Sequence, residues 1–439
     1  MSKKRYVQVG TGGRCEMYLN AICKDYKDTA ELVGLCDSNS IRMQYWNDYL
    51  QKTYGIAALP MYKAHDFDKM IEEIKPDVVI VTSMDRTHHK YICRAMELGC
   101  DVISEKPMTV DTEKCQQIID TIKETGKHLT VTFNYRYTPH NTKVKEIIQS
   151  GAIGEITSIH FEWLLDTCHG ADYFRRWHRN KNNSGGLLVH KATHHFDLIN
   201  WWIESYPETV FAMGDLKFYG KENAEKRGVT EFYSRARDNE AAAKDPFALH
   251  VKDTDERLLG LYYNAEKEDG YFRDQSVFGD GISIEDNMGV IVRYQNKAIM
   301  TYSLNAHCPY EGYRVCFNGT KGRLEFNMVE SAHQAGALAD FNEAPGHLDT
   351  RGYRVAPVPS IILQKHWSVA EEITYEKGVG GHGGGDVRLL DDLFIGVKED
   401  PYHHAADYRD GAKSILTGIA ANIAIKSGQP VDVSKLIKF

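Results

Sequence analysis

The sequence predicts an α/β protein: parallel βαβ units in its first third, then a second α/β region whose longer strands form an open, mostly antiparallel sheet. Three observations predict it. Short apolar runs alternate with helical patterns up to residue 133, the spacing of βαβ units with right-handed crossovers. A glycine loop, Gly10-Thr11-Gly12-Gly13-Arg14-Cys15, follows the first apolar run and opens a helical pattern. An acid, a base and a proline, Glu105-Lys106-Pro107, close a later apolar run. In open α/β sheets that edge, beyond the carboxyl ends of the strands, is where ligands bind.

In order along the chain, a strand over 6–9 leads through the glycine loop into a helix ending near residue 24. A strand over 31–35 is followed by a helix over 41–54, a strand over 77–82 by a helix over 88–98, and a strand over 101–104 by a helix over 112–124; a strand over 129–133 completes the series. After Asn134 the pattern changes. A helix over 141–149 and a strand over 156–163 precede a helix over 185–203. Strand-like runs follow at 210–213, 288–294, 298–304, 313–317 and 323–326, and two helices close the chain within 386–427. Residues 221–273 are highly charged and weakly periodic, as in a surface insertion or a partner-contacting arm. The expected division is a nucleotide-binding domain over 1–134 and a substrate-binding and oligomerisation domain over 135–439.

Composition narrows the function. A net charge of -8 lacks the basic footprint of a nucleic-acid binder. No run reaches transmembrane length, and the N-terminus runs into a strand without the apolar core of a signal peptide. A cytoplasmic protein is expected. Nine scattered cysteines, with no CxxC pair, fit reduced thiols that pack rather than react.

Gly10 and Gly12 let the backbone turn tightly and approach a pyrophosphate, with Thr11, Gly13 and Arg14 beside it. The helix start then offers free N–H groups and a positive dipole end. Cys15 replaces the third glycine of the usual pattern, at a position concerned with helix–strand packing. Asp37, at the end of the second strand, is placed to accept the adenosine ribose hydroxyls and to repel a 2′-phosphate. Ser38 and Asn39 follow it without an immediate arginine, which favours NAD over NADP, although Arg42 lies near. The other reading of Asp37 is a helix cap, a task open to Ser38 or Ser40. Thr82 and Ser83 end the third predicted strand and can lie along the dinucleotide; His88 either joins them or simply starts the next helix.

A second constellation is SGGLLVHKATHHFDLINWW. On one continuous helix, His190, His194 and Asp197 fall at i, i+4 and i+7, on one face. Asp166, His169, Tyr173, Arg175, Arg176 and His178 crowd the stretch upstream. Such a density of hydrogen-bonding groups suits a polyhydroxylated ligand. The histidines serve as general bases, as ligands of a metal site that takes Asp197 or His169 as third ligand, or as polar packing. General base catalysis without metal is preferred.

Gly10 to Arg14, Asp37, Glu105-Lys106-Pro107, Asn134-Tyr135-Arg136-Tyr137 and the run from Gly185-Gly186 to His194 and Asp197 together resemble the glucose-fructose oxidoreductase/inositol dehydrogenase/MocA family. The resemblance spans nearly the whole chain and is weakest over 221–273. It implies an N-terminal Rossmann domain, a C-terminal α/β domain with an open sheet, a tightly held nicotinamide cofactor, sugar or polyol substrates, and homo-oligomers, dimers or tetramers, formed through that sheet. It implies Lys106 as the active-site lysine, Glu105 orienting it next to the cofactor, Asn134 at the cofactor and His194 as base. Asp197 matches an acid found in many members. His190 stands where many members carry an aspartate, which makes it a second donor or base. Tyr135, Arg136, Tyr173, His190, His194, Asp197 and His382 are then expected to hold substrate hydroxyls. His382 lies in Gly381-His382-Gly383-Gly384-Gly385-Asp386, which resembles the glycoside-acting branches; the other reading is a helix-entry loop. The expected activity is NAD-dependent oxidation of a sugar, glycoside or polyol hydroxyl, including C3 of a glucoside. The alternative is redox-assisted glycoside cleavage with no net redox change.

Overall fold

The computed structural model describes residues 3–251, 254–331, 359–376, 378, 381–396 and 399–439. Six parallel strands form the first sheet: β1 (Lys4–Val9), β2 (Ala30–Asp37), β3 (Met61–Lys63), β4 (Val78–Val81), β5 (Asp101–Ser104) and β6 (Leu129–Val131). Their spatial order is β3-β2-β1-β4-β5-β6. The chain order reverses between β1 and β4, which is the switch point where this architecture opens a crevice. Every residue of β4, Val-Val-Ile-Val, is buried. Helices cover both faces of such a sheet, so its strands read as unbroken apolar runs. The sequence reading overlooked β3 and the helix Phe67–Ile74 behind it.

The second sheet holds nine strands: β7 (Ile156–Asp166), β8 (Pro207–Asp215), β9 (Asn287–Tyr294), β10 (Ile299–Cys308), β11 (Glu311–Gly319), β12 (Gly322–Ser331), β13 (Ser360–Lys365), β14 (Glu371–Ile373) and β15 (Val431–Asp432). Their order is β14-β13-β12-β11-β7-β10-β9-β8-β15. Among the described residues only the central β7–β10 pair is parallel; the others are antiparallel. Burial alternates strictly along β9, the mark of a sheet with one covered and one open face. Met213, Ile291 and Ile299 are exposed on these strands.

The covered face carries helices Ala192–Ile203 and Tyr408–Ser427. Every residue of the first is buried, so it runs through the core rather than along its surface. The predicted continuous helix over 185–203 is broken: Gly185 and Gly186 take φ of 72° and 77°, a short helical turn covers Leu187–His190, and the main helix starts at Ala192. Gly418 of the C-terminal helix meets the first turn at very close range. A Cβ there would lie 2.1 Å from the Leu188 carbonyl oxygen, nearer than any carbon can sit. We predict that Gly418→Ala lowers stability by about 1–3 kcal/mol in chemical denaturation, although alanine is the better helix former. An unchanged midpoint would show that this contact does not fix the turn bearing His190.

Residues 221–273 are exposed over much of their length. Their last part folds back over the first sheet: Tyr262 and Tyr263 belong to the same apolar cluster as Leu35, Trp46 and Ile80.

Candidate active site at the strand ends

The site forms where the loops after β1, β4 and β5 meet the turn Leu187–His190. Each loop is fixed by contacts within the first sheet. Gly10 has φ of 82°, and a Cβ there would lie 2.5 Å from the Ser83 nitrogen, so only glycine fits. Thr82 donates its hydroxyl to the Gly10 carbonyl at 2.7 Å and accepts from Gln8 at 2.9 Å. At the end of β2, Asp37 accepts the Thr11 N–H at 2.6 Å, the Thr11 hydroxyl at 2.9 Å, and the Asn39 N–H at 2.8 Å; Ser38 donates to it more weakly, at 3.3 Å. The cap of helix Ser40–Tyr54 is Asn39 rather than Ser38 or Ser40, since its side chain takes the Ile41 and Arg42 N–H groups.

These residues fit a dinucleotide. The space above Gly12 is open, with no atom within 4 Å of a Cβ built there, while Gly13 faces Tyr262 and Arg257 of the insertion. Residues 257–262 thus lie against the loop: Gly13 donates its N–H to the Tyr262 hydroxyl at 3.3 Å and accepts from Arg257 at 3.3 Å. The loop backbone and the first helical turn at Gly13 would hold the pyrophosphate, and Asp37 the adenosine ribose.

Lys106 stands at the next strand end but one, and its peptide bond to Pro107 is cis. Its neighbour Glu105 is buried and accepts from Arg14 Nε at 2.6 Å and from the Tyr18 hydroxyl at 2.8 Å. Burial pushes the Glu105 carboxyl up, but Arg14 and Lys106 outweigh it and hold it below the usual carboxylate range. Arg14 therefore ties the glycine loop to the Lys106 corner. The His88 ring lies between the Pro107 and Ser83 carbonyls, 2.9 Å from each, and Ser83 Oγ meets Thr87 Oγ1 at 2.8 Å. His88 and Ser83 thus brace the two loops against each other.

The centre of the site is Asp85, which the sequence pattern does not single out. It follows β4 and reaches His190, its Oδ2 lying 2.5 Å from His190 Nδ1. His178 closes the group, ring against ring with His190 at a centroid distance of 4.2 Å, and Tyr173 packs edge-on to His190 at 5.5 Å. Burial raises the Asp85 carboxyl to about 7, against the pull of His88, Lys106 and Arg176. Burial lowers the Lys106 ammonium to about 8, with Glu105 and Asp85 opposing the fall. Burial, then the cations Lys106 and Arg176, hold the His190 imidazole well below its ordinary value. A neutral imidazole flanked by cations accepts a proton through whichever nitrogen is bare. His190 keeps 12% of its side chain exposed and Asp85 only 5%; His178 and His194 are 2% and 3% exposed. His190 therefore keeps more of its side chain open to a ligand than Asp85 does.

The expected stripe is split by the break at Lys191. Asp197 does not face His190; it forms a buried, two-pronged ion pair with Arg136 at 2.6 and 2.8 Å. Arg136 and Asp197 thus join the C-terminal helix region to the core, with Asp410 as a further partner at 3.4 Å. The His194 ring packs against Tyr135, 4.8 Å between centroids, and against Phe133. Asn134 gives its amide to Asp386 at 2.7 Å, which fastens the loop after β6 to helix Gly385–Phe394. His382 lies in the helical turn Gly381–Gly384; its side chain falls outside the described residues. Tyr173 donates to or accepts from His169 at 2.9 Å, and His169 pairs with Glu311. Asp85, His178 and His190 also have the chemistry of a metal ligand set, with ligand atoms within 4.8 Å of one another. It differs from the set that Asp197 or His169 would complete, and Lys106 and Arg176 act on it as neighbouring positive charges.

Fold and site together define a dinucleotide-binding α/β protein with a lysine–carboxylate–histidine centre at the switch point. The family model described as "Oxidoreductase family, NAD-binding Rossmann fold" (GFO_IDH_MocA) matches residues 4–133, and its "C-terminal alpha/beta domain" matches residues 145–433. The chain belongs to this family of oxidoreductases. It is 35% identical to the Bacillus subtilis protein YteT, an oxidoreductase by name, over 99% of both chains. It is 33% identical to the D-glucoside 3-dehydrogenase of Escherichia coli over 30% of this chain and 35% of that one. The aldose-aldose oxidoreductase of Caulobacter crescentus shares the fold, with a TM-score of 0.62 at 16% identity, over 98% of this chain and 100% of that one. Among the described residues no helix is long and apolar enough to cross a membrane.

We predict that Gly10→Ala weakens NADH binding at least about 100-fold, read by fluorescence titration, because a side chain at this φ and distance displaces the loop. Retained affinity would place the dinucleotide elsewhere.

Proposed function

We propose that the chain oxidises a hydroxyl of a sugar, glycoside or polyol with NAD, the C3 hydroxyl of a glucoside being the first candidate. The observation that carries this reading is the meeting of Lys106, Asp85 and His190 at the carboxyl ends of β4 and β5, one side exposed and the rest buried. The similarity to a D-glucoside 3-dehydrogenase supports the substrate class. NAD is preferred to NADP because Asp37 stands at the end of β2. The exposed apolar residues on the open face of the second sheet support a homo-oligomer, a dimer or tetramer.

When bound, the nicotinamide ring supplies the hydride acceptor. The protein's own task is to move one proton and to hold the oxygen. With Asp85 ionised, His190 Nδ1–H donates to it and the bare Nε2 accepts the proton of the reacting hydroxyl. The Lys106 ammonium donates a hydrogen bond to the same oxygen as it becomes a carbonyl. This assigns the base to His190 instead of His194, whose ring packs against Tyr135 and Phe133.

The signs follow from the two shifted groups. Asp85 must lose its proton, so the rate rises with pH through about 7. Lys106 must keep its proton, so the rate falls through about 8. A narrow bell in kcat/KM is expected, with limbs that belong to the coupled set. Asp85→Asn should remove the acid limb and lower kcat/KM by at least about 100-fold, with NADH affinity kept. A second comparison separates the histidines: His190→Ala loses at least about 100-fold in kcat/KM while His194→Ala loses less. The reverse order would return the base to His194.

One observation favours redox-neutral glycoside cleavage as a second reading. The insertion lies against the glycine loop through Tyr262 and Arg257, and an enclosed cofactor suits a cycle that regenerates it in place. Glucosides, free sugars and inositols supplied with NAD distinguish the two. Stoichiometric NADH with oxidised product supports the dehydrogenase; aglycone release without net NADH supports cleavage; neither signal with any of them contradicts both.

A further inference from the structure

The 2′-phosphate that separates NADP from NAD would sit beside Asp37, against the start of helix Ser40–Tyr54. The donors of a phosphate site are present there. The Ser40 N–H, the Ser40 hydroxyl and the Ile41 N–H converge on one point, and the Lys63 ammonium at the end of β3 faces it. That point is filled by the chain itself. Glu268, from the insertion, accepts the Ser40 N–H at 2.8 Å, the Ser40 hydroxyl at 2.9 Å and the Ile41 N–H at 3.3 Å, and forms an ion pair with Lys63. The next residue, Asp269, holds Arg42 at 2.6 Å, and Arg42 Nε also donates to the Leu261 carbonyl at 2.9 Å. Asn39 is fastened to the Ala265 carbonyl at 3.0 Å. The donors of Ser40 and Ile41 and the cations Lys63 and Arg42 are thus already committed to the insertion.

We propose that residues 256–269 of the insertion are a cofactor-selectivity element, in which Glu268 occupies the place of a 2′-phosphate and so restricts the site to NAD. The carboxylate does this in two ways. It takes the donors, and with Asp37 and Asp269 it presents negative charge to a group that carries about -1.5 to -2 at neutral pH. A like charge in place of a counter-ion is the repulsive element that discrimination between two near-identical ligands requires. NAD has only a hydroxyl there and leaves Glu268 undisturbed. The proposal rests on the nicotinamide-dinucleotide reading of the glycine loop.

The test is direct binding by the full chain, after removal of any carried-over dinucleotide, with NADH and NADPH titrated by fluorescence. The wild-type protein should bind NADH at least about 100-fold more tightly than NADPH. Glu268→Ser, which frees Ser40, Ile41 and Lys63, should tighten NADPH at least about tenfold and leave NADH within about threefold. Glu268→Gln keeps the volume and removes the charge, and should give a smaller gain of the same sign. If both variants bind NADH normally and NADPH no better than wild type, Glu268 is a structural anchor only and the proposal fails. A wild type that binds both equally also overturns it. A wild type that binds neither overturns the dinucleotide reading beneath it.

Discussion

A carboxyl group from one half of the chain lies within hydrogen-bond distance of an imidazole from the other, and the site exists because of that contact. Asp85 follows β4 of the parallel sheet, and His190 ends a helical turn packed against the C-terminal helix. Neither is placed by its neighbours in sequence alone. Gly185 and Gly186 swing the turn into position, and the contact of Gly418 with the Leu188 carbonyl fixes its depth. On the other side, Gly10, Thr82 and His88 lock the strand-end loops together. The pair is buried among cations, where an ionised carboxylate both orients the ring and offsets the charge of Lys106.

The second organising feature is the insertion. It belongs to the C-terminal part of the sequence but serves the N-terminal sheet. Its charged residues, which look like a solvated surface, are spent on specific partners: Arg257 on Glu16, Glu268 on Lys63 and Ser40, Asp269 on Arg42, Arg273 on Asp172. The last of these anchors the arm near His178 and Arg176. One segment therefore touches the adenosine end of the dinucleotide site and the wall of the chemical centre.

The parallel sheet was legible because the strands buried on both faces leave continuous apolar runs, as in Val-Val-Ile-Val of β4. The glycine loop, Asp37 and Lys106 were legible because each answers a local backbone or charge requirement. What escaped was set by distant contacts. Helical spacing placed His190, His194 and Asp197 on one face, but the break at Lys191 sends the first to Asp85, the second to Tyr135 and the third to Arg136. Asp85 lies between Thr82 and His88 and gives no sign in sequence of its partner 105 positions later. The short β3 and the return of residues 256–269 onto helix Ser40–Tyr54 likewise follow from tertiary packing that weak periodicity conceals.

The tautomer of His190 tests this arrangement most directly, since the proposed chemistry needs the proton on Nδ1 and a bare Nε2. Nitrogen-15 spectra of histidine-labelled protein, assigned by loss of a signal in His190→Gln and recorded at about pH 8, report it without any substrate. The Asp85–His190 contact predicts a neutral ring protonated at Nδ1. A ring protonated at Nε2, or an imidazolium, would contradict it.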